Sequence, residues 1–162
     1  MKENLQKLRV NVFSYKYLSR VRFSFLITLP SILIMVAPAF FLDIAASFYQ
    51  AINFRAYEIP MVDRKKYIFL DRYSLKHLNF MEKFFCVYCG YFNGVMQYVS
   101  EIASRTEEFW CPIKYSRKVG FKHKRYANYL EHEDTTEYHA KRKKIRLAMR
   151  HQLQSDIRRS KD

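Results

Sequence analysis

FSFLITLPSILIMVAPAFFL, residues 23–42, carries no charge in twenty positions. As a helix it reaches roughly 30 Å, the thickness of a bilayer core. Beyond Asp43 the stretch IAASFYQAINF continues uncharged to Phe54. A core helix of a soluble domain is shorter, and a chain of 162 residues has little protein with which to cover such a run on all sides. A cleaved leader is disfavoured by the 22 residues that precede the run, too many for the basic region of a signal peptide. The expectation is a membrane-embedded segment over 23–54. Pro30 and Pro38 lie inside it, and each removes a backbone donor and kinks a helix.

Outward from this segment the charge is segregated. The net charge is +14, with 49% hydrophobic and 17% aromatic residues. Residues 1–54 hold six Lys/Arg and two acids, 55–114 nine and seven, and 115–162 fourteen and six. So apolar and aromatic a chain is not disordered as a whole. Three Gly and four Pro exclude a collagen-like or linker-rich protein, and three Cys exclude a disulfide-stapled scaffold. Four segments are expected: a basic N-terminal segment (1–22), the membrane segment (23–54), a helical hairpin domain carrying the cysteines (55–116) and a basic helical tail (117–162).

Lys16, Arg20 and Arg22 flank the run on its N-terminal side, with Lys2, Lys7 and Arg9 behind them. The positive-inside rule puts that side in the cytoplasm. Only Arg55 lies close after the other end, which fits a single span. The basic C-terminal 48 residues fit better in the cytoplasm too, and a re-entrant helix broken at one or both prolines keeps both ends inside. The monotopic, re-entrant form is the slightly favoured of the two. Arg64, Lys65 and Lys66 follow where lipid headgroups would lie, each worth about 1 kcal/mol against an anionic leaflet.

From Asp71 the pattern is helical. Leu75, Leu78, Phe80, Met81, Phe84, Phe85 and Tyr88 recur at three and four, Gly90 and Gly94 interrupt, and Val95, Tyr98, Val99, Ile102 and Phe109 form a second stripe. Asn93 is a candidate N-cap and Pro112 a stop. The expectation is two packed helices with the glycines in the turn.

Cys86-Val-Tyr-Cys89-Gly-Tyr91 and Trp110-Cys111-Pro112 are the sharpest chemical features. They resemble the metal knuckles of rubredoxins and zinc ribbons, where paired thiolates grip one tetrahedral ion. The likeness is incomplete, since a last knuckle needs a second Cys where Lys114 stands. A three-Cys site for iron or zinc would need a fourth ligand, with His77 and His123 as the nearest candidates. A redox pair and buried structural thiols are the alternatives, and the last is the commonest fate of free cysteines. Glu82, Glu101, Arg105 and Glu107 are weak candidates for a catalytic polar site. No phosphate-binding glycine loop, nucleophile elbow or HExxH motif is present in the sequence.

The run from Asp71 to Lys114 carries Asp71-Arg72, Leu78-Asn79, Glu82-Lys83, Cys86-x-Tyr88-Cys89-x-Tyr91-x-Asn93-Gly94, Glu101-Ile102, Arg105-Thr106-Glu107 and Trp110-Cys111-Pro112-Ile113-Lys114. With Tyr49-Gln50 and Tyr57-x-Ile59-Pro60 upstream, it resembles a family of small bacterial membrane-associated proteins of unassigned function. The resemblance covers roughly residues 23–120. Members carry a His at the position of Tyr115. The resemblance implies a protein of the bacterial cytoplasmic membrane and supplies no activity.

The densest basic runs are 117–125 and 141–150. Tyr138, Ile145, Met149, Leu153 and Ile157 give the second a narrow apolar line, so a basic helix is expected over 136–160. Lys141, Arg142, Lys143 and Lys144 join Arg64, Lys65 and Lys66 as candidate headgroup contacts. A partner-binding tail competes with that reading, and nucleic acid is the weakest of the three. Glu131-His132-Glu133-Asp134 is expected as an acidic loop. The fold class expected is mostly α: one membrane-embedded helix, a helical hairpin and a basic C-terminal helix. The function expected is a membrane-anchored accessory or assembly protein of the cytoplasmic membrane, with the bulk of the chain on the cytoplasmic side. Its expected partners are anionic lipid and a larger membrane protein complex. The alternative is a small monotopic enzyme acting on a lipid-borne anionic substrate.

Overall fold

The computed structural model describes residues 23–75, 78, 80–133 and 136–159. The basic segment 1–22, His77, Asp134 and the last three residues lie outside the described residues. The chain is mostly helical, and among the described residues there is no named strand.

Helix α1 (Phe23–Ile34) and helix α2 (Val36–Tyr49) meet at Met35. The joint sits where Pro38 lacks a donor and its ring crowds the carbonyl of Ile34. The hydrogen bonds across it are long, Met35 N to Ile32 O at 3.4 Å and Ala39 N to Met35 O at 3.3 Å. The helix does not turn back at either proline. Leu29–Phe54 is one 26-residue run, long and apolar enough to cross a membrane. The expected re-entrant break is therefore a bend within one run.

A π turn, Gln50–Phe54, closes α2. The stop is a six-to-one arrangement: Ile59 N donates to Phe54 O at 2.9 Å and Glu58 N to Arg55 O at 3.4 Å. Glu58 takes the left-handed conformation (φ 56°) usual for glycine at that position, and Pro60 follows.

Helix α3 (Phe80–Trp110) is one uninterrupted element of 31 residues, about 47 Å long. It replaces the expected hairpin. Gly90 and Gly94 lie inside it because another backbone must pass there. A Cβ on Gly94 would stand 2.7 Å from the carbonyl oxygen of Tyr67 and 3.0 Å from Cα of Ile68, and one on Gly90 would stand 3.3 Å from the carbonyl oxygen of Phe69. Asn93 is mid-helix, donating to Cys89 O at 2.8 Å, and caps nothing. Pro112 does end the helix.

Contacts climb α1–α2 and α3 together: Tyr88 bonds Ile32 O, Tyr91 meets Asp43, Tyr98 meets Ser47, and Thr106 meets Tyr49. The two helices therefore run in the same direction. The connection must return along them, and it does so as an irregular segment with 3₁₀ turns at Arg64–Lys66 and Asp71–Ser74. Pro60 lies by Arg105, Tyr67 by Gly94 and Phe69 by Gly90.

Helix α4 (Tyr138–Arg159) matches the expected basic helix and packs on the C-terminal end of α3. The last carbonyls of α3, short of intrahelical donors, accept from Arg146 Nε (Phe109 O, 3.2 Å) and Tyr138 OH (Trp110 O, 3.1 Å). The Arg146 guanidinium lies 4.3 Å over the Phe109 ring. Met149 joins Phe54, Ile59, Val62, Tyr98, Ile102 and Phe109 in the core.

Candidate functional site

The apolar helix is built inside out. Its buried face reads Ala39, Asp43, Gln50 and Phe54, with Ala46 and Ser47 half-buried between them. Its opposite face reads Ile27, Ile34, Phe41, Phe48 and Ile52, which are 53–69% exposed. The first four of these are seven apart and so align along one side.

The two buried polar side chains of this helix, Asp43 and Gln50, are both engaged. Arg64 grips Asp43 with both arms, Nε to Oδ1 at 3.0 Å and Nη2 to Oδ2 at 2.6 Å, and Tyr91 OH donates to Oδ2 at 3.0 Å. Gln50 acts as a backbone clip: its Oε1 accepts from Val62 N at 2.8 Å and its Nε2 donates to Val62 O at 3.1 Å. Nε2 also lies 3.2 Å from Tyr98 OH. Asp43 and Gln50 thus hold the returning segment against the helix pair.

A second cluster sits near the C-terminal end of α3. Glu101 Oε1 accepts from Arg105 Nε at 2.8 Å and from Arg125 Nη2 at 2.7 Å, and Arg125 Nη1 donates to Glu108 Oε2 at 3.0 Å. Arg105 also bonds Pro60 O at 2.7 Å. Burial pushes the Glu101 carboxyl up, but the two guanidiniums outweigh it and hold the group below its ordinary value. Burial likewise pulls Arg125 down, and the Glu101 and Glu108 carboxylates more than restore it.

On the neighbouring side of α3, Glu107 bonds His123 Nε2 and Tyr115 OH, both at 3.1 Å. The hydrogen bond to the Glu107 carboxylate holds the Tyr115 phenol above its usual range. Burial pushes Tyr129 up more strongly, and its hydroxyl donates to Ser104 O.

The catalytic candidates do not converge. Glu101 and Arg105 meet as an ion pair. Glu107 is turned about 120° around the helix from Glu101, and Glu82 lies about 28 Å back along the axis. Each charged side chain in these clusters faces an opposite charge inside the protein, the pattern of a structural network, although His123 Nδ1 and Arg125 Nε are buried without a hydrogen-bond partner.

The cysteines do not form one site either. Cys86 and Cys89 stand one turn apart on α3, Cys89 exposed, and Cys111 follows the far end. An unbroken helix separates Cys89 from Cys111 by about 33 Å, and tetrahedral zinc needs every sulfur within about 2.3 Å of the ion. Among the described residues no group of three metal-ligating side chains comes together. His123, a candidate fourth ligand, is bound to Glu107 instead.

Of the headgroup candidates, Lys65, Lys66, Lys143 and Lys144 are exposed. Arg64 is the partner of Asp43. Arg142 lies 5.1 Å over the Tyr138 ring, and Lys141 is half-buried. Sequence reasoning passed over Asp43, Gln50 and Arg125. Their signal was available for the first two: one acid and one amide, seven apart, in an otherwise apolar helix. Compared with protein-family models, with curated proteins and with solved structures, the chain matches none.

Proposed function

We propose that this chain is a membrane-anchored accessory or assembly protein of the bacterial cytoplasmic membrane, serving a larger membrane protein complex. One observation carries the anchoring: in the most apolar stretch of Leu29–Phe54 only 17% is buried, while its acid and its amide face inward. A core helix of a soluble protein buries the apolar face. Lipid inverts that preference, because polar side chains must find partners inside the protein.

The height of Arg64 supports a monotopic seat. Paired to Asp43, it places the exposed Lys65 and Lys66 level with the middle of the apolar run. A helix crossing upright would carry that triplet to the bilayer midplane, where each charge costs about 2.5–3.5 kcal/mol on insertion scales. A helix lying along the interface, stripe down, keeps the triplet among the headgroups. The exposed cations of α4 fit the same anionic surface. The enzyme alternative draws no support from Glu82, Glu101, Arg105 and Glu107, which do not share a concave site.

The test is membrane retention after alkaline carbonate washing. The wild-type chain is expected in the pellet. Phe41→Asp with Phe48→Asp is expected in the supernatant with an unchanged helical circular dichroism spectrum. Phe41→Leu with Phe48→Leu is expected to stay in the pellet. A wild-type chain that washes off, or stays soluble without detergent, overturns the lipid reading.

A further inference from the structure

Some cations in the described part of the molecule are paired, and others, on α4 and elsewhere, are not. Arg64, Arg105, Lys114, Arg125 and Arg150 each face a carboxylate. Arg117, Lys118, Lys122 and Lys124 do not: among the described residues none reaches a carboxylate within 4.0 Å. These four line one open cavity of about 510 Å³.

Part of the cavity wall is pinned, while the four cations themselves are exposed. A backbone bridge pins Ile113 to Leu130, with Lys114 N donating to Leu130 O at 2.7 Å and Leu130 N to Pro112 O at 2.9 Å. Tyr115 N donates to Tyr126 OH at 2.8 Å, and the two rings stack at 6.0 Å. Lys122 rests over the Tyr126 ring. The acid at the rim, Glu131, is held by Lys114.

We propose that this cavity binds a small, multiply charged, phosphate-bearing anion from the aqueous phase. With Glu131 already taken by Lys114, the four remaining like charges repel one another until an anion enters. Lysine serves phosphate as a point charge, and the volume falls within the roughly 300–1,000 Å³ of small-molecule sites. An extended acidic peptide offers one carboxylate per roughly 3.3 Å of chain, too dilute to neutralise four cations in so short a groove.

The aqueous source follows from position on α3. Tyr91, Tyr98, Ile102 and Thr106 face the apolar helix, whereas Glu101, Ser104, Glu107 and Glu108 hold the 113–130 loop. At 100° per residue these faces point roughly 140° apart. The cavity is on the side of α3 away from the apolar stripe.

The experiment is calorimetric titration of the full-length chain, in detergent and in nanodiscs of phosphatidylcholine, with tripolyphosphate as the probe. One saturable, salt-sensitive site per chain is expected. Lys118→Gln with Lys122→Gln should weaken it about tenfold or more, as loss of two charged contacts requires. Lys143→Gln with Lys144→Gln removes the same charge from α4 and should leave it unchanged. Lys124→Gln gives a second, single-site check should the double variant misfold. No saturable binding, or equal weakening by both double variants, overturns the proposal. Nanodiscs containing phosphatidylglycerol separate the sources: unchanged affinity supports a soluble ligand, and competition by the lipid overturns that source. A single-stranded oligonucleotide that binds more tightly than tripolyphosphate, and needs Tyr115 and Phe121, overturns it in favour of nucleic acid. The detergent measurement does not depend on membrane anchoring, so either reading can fail alone.

Discussion

Gly94→Ala and Gly90→Ala, one turn apart on the same helix, are expected to have opposite effects. In each, alanine gains about 0.5–1 kcal/mol over glycine in a helix interior. At Gly94 the added Cβ would lie 2.7 Å from Tyr67 O, 3.0 Å from Ile68 Cα and 3.1 Å from Ile68 Cγ1. All three are inside the roughly 3.5 Å at which non-bonded heavy atoms attract. Two of these atoms are backbone, so no rotamer change relieves the clash and the returning segment must move. Overpacking of that kind costs about 1–3 kcal/mol. The net is a loss of up to about 2.5 kcal/mol, or up to roughly 10 °C in Tm at 2–4 °C per kcal/mol for a chain of this size. At Gly90 the one close atom is Phe69 O at 3.3 Å, a few tenths of an ångström from an ordinary contact. There the helix gain dominates, and Tm should hold or rise by about 2 °C. The assay is thermal unfolding in one detergent at one scan rate, followed by far-ultraviolet circular dichroism. A Gly94→Ala protein as stable as Gly90→Ala would show that the 67–69 segment does not press on α3, and the reason given for an uninterrupted helix would fail.

Arg64→Met leaves Asp43 buried without its cation and should cost about 3 kcal/mol, the low end for a broken buried pair because Arg64 is half exposed. Asp43→Asn with Arg64→Met should recover part of that loss in the same melts. Glu101 is held below its ordinary value of 4.5, so it contributes stability above that pH and loses it as pH falls through the lower folded value. Unfolding midpoints should therefore drop on acidification below about 4.5, and Glu101→Gln should flatten that drop. Chelation should leave the melting temperature unchanged and Cys111→Ser should leave any metal content unchanged, measured by mass spectrometry after anaerobic purification. One shared ion lost with Cys111 would refute the separation of the cysteines. A single cysteine introduced as Ser155→Cys, with the native three replaced by serine, should resist an impermeant thiol reagent outside intact cells. Labelling there would sink the cytoplasmic placement.

The apolar run and helix α4 were legible because their signals are local: twenty uncharged positions in one case, a basic helical pattern in the other. Helix α3 was half legible. Its apolar periodicity was plain, but a glycine pair reads as a break on local propensity. Only Tyr67, Ile68 and Phe69, more than twenty residues upstream, show that the glycines admit a backbone. The cysteine reading fell with that error, since a continuous helix sets Cys111 far from Cys89. Arg125 and His123 lay in a segment whose positive charge suggested solvent or lipid, yet both answer carboxylates on α3. Three acids within 101–108 hinted that cations must reach them from elsewhere. Which cations those were depended on how the chain returns.

The same-direction helix pair has a consequence for the order of events during synthesis. Asp43 leaves the ribosome 21 residues before Arg64 and 48 before Tyr91. At about 5–20 residues per second, its carboxylate waits about 1–4 s for the guanidinium and about 2–10 s for the phenol. Gln50 likewise emerges before Val62 and Tyr98. Throughout that interval the most apolar helix of the chain displays an unmatched acid and an unmatched amide on one side. Early burial in lipid would strand both groups. The nascent helix is therefore best kept at the water boundary until α3 has been made, with its final seat taken late and as one folded unit.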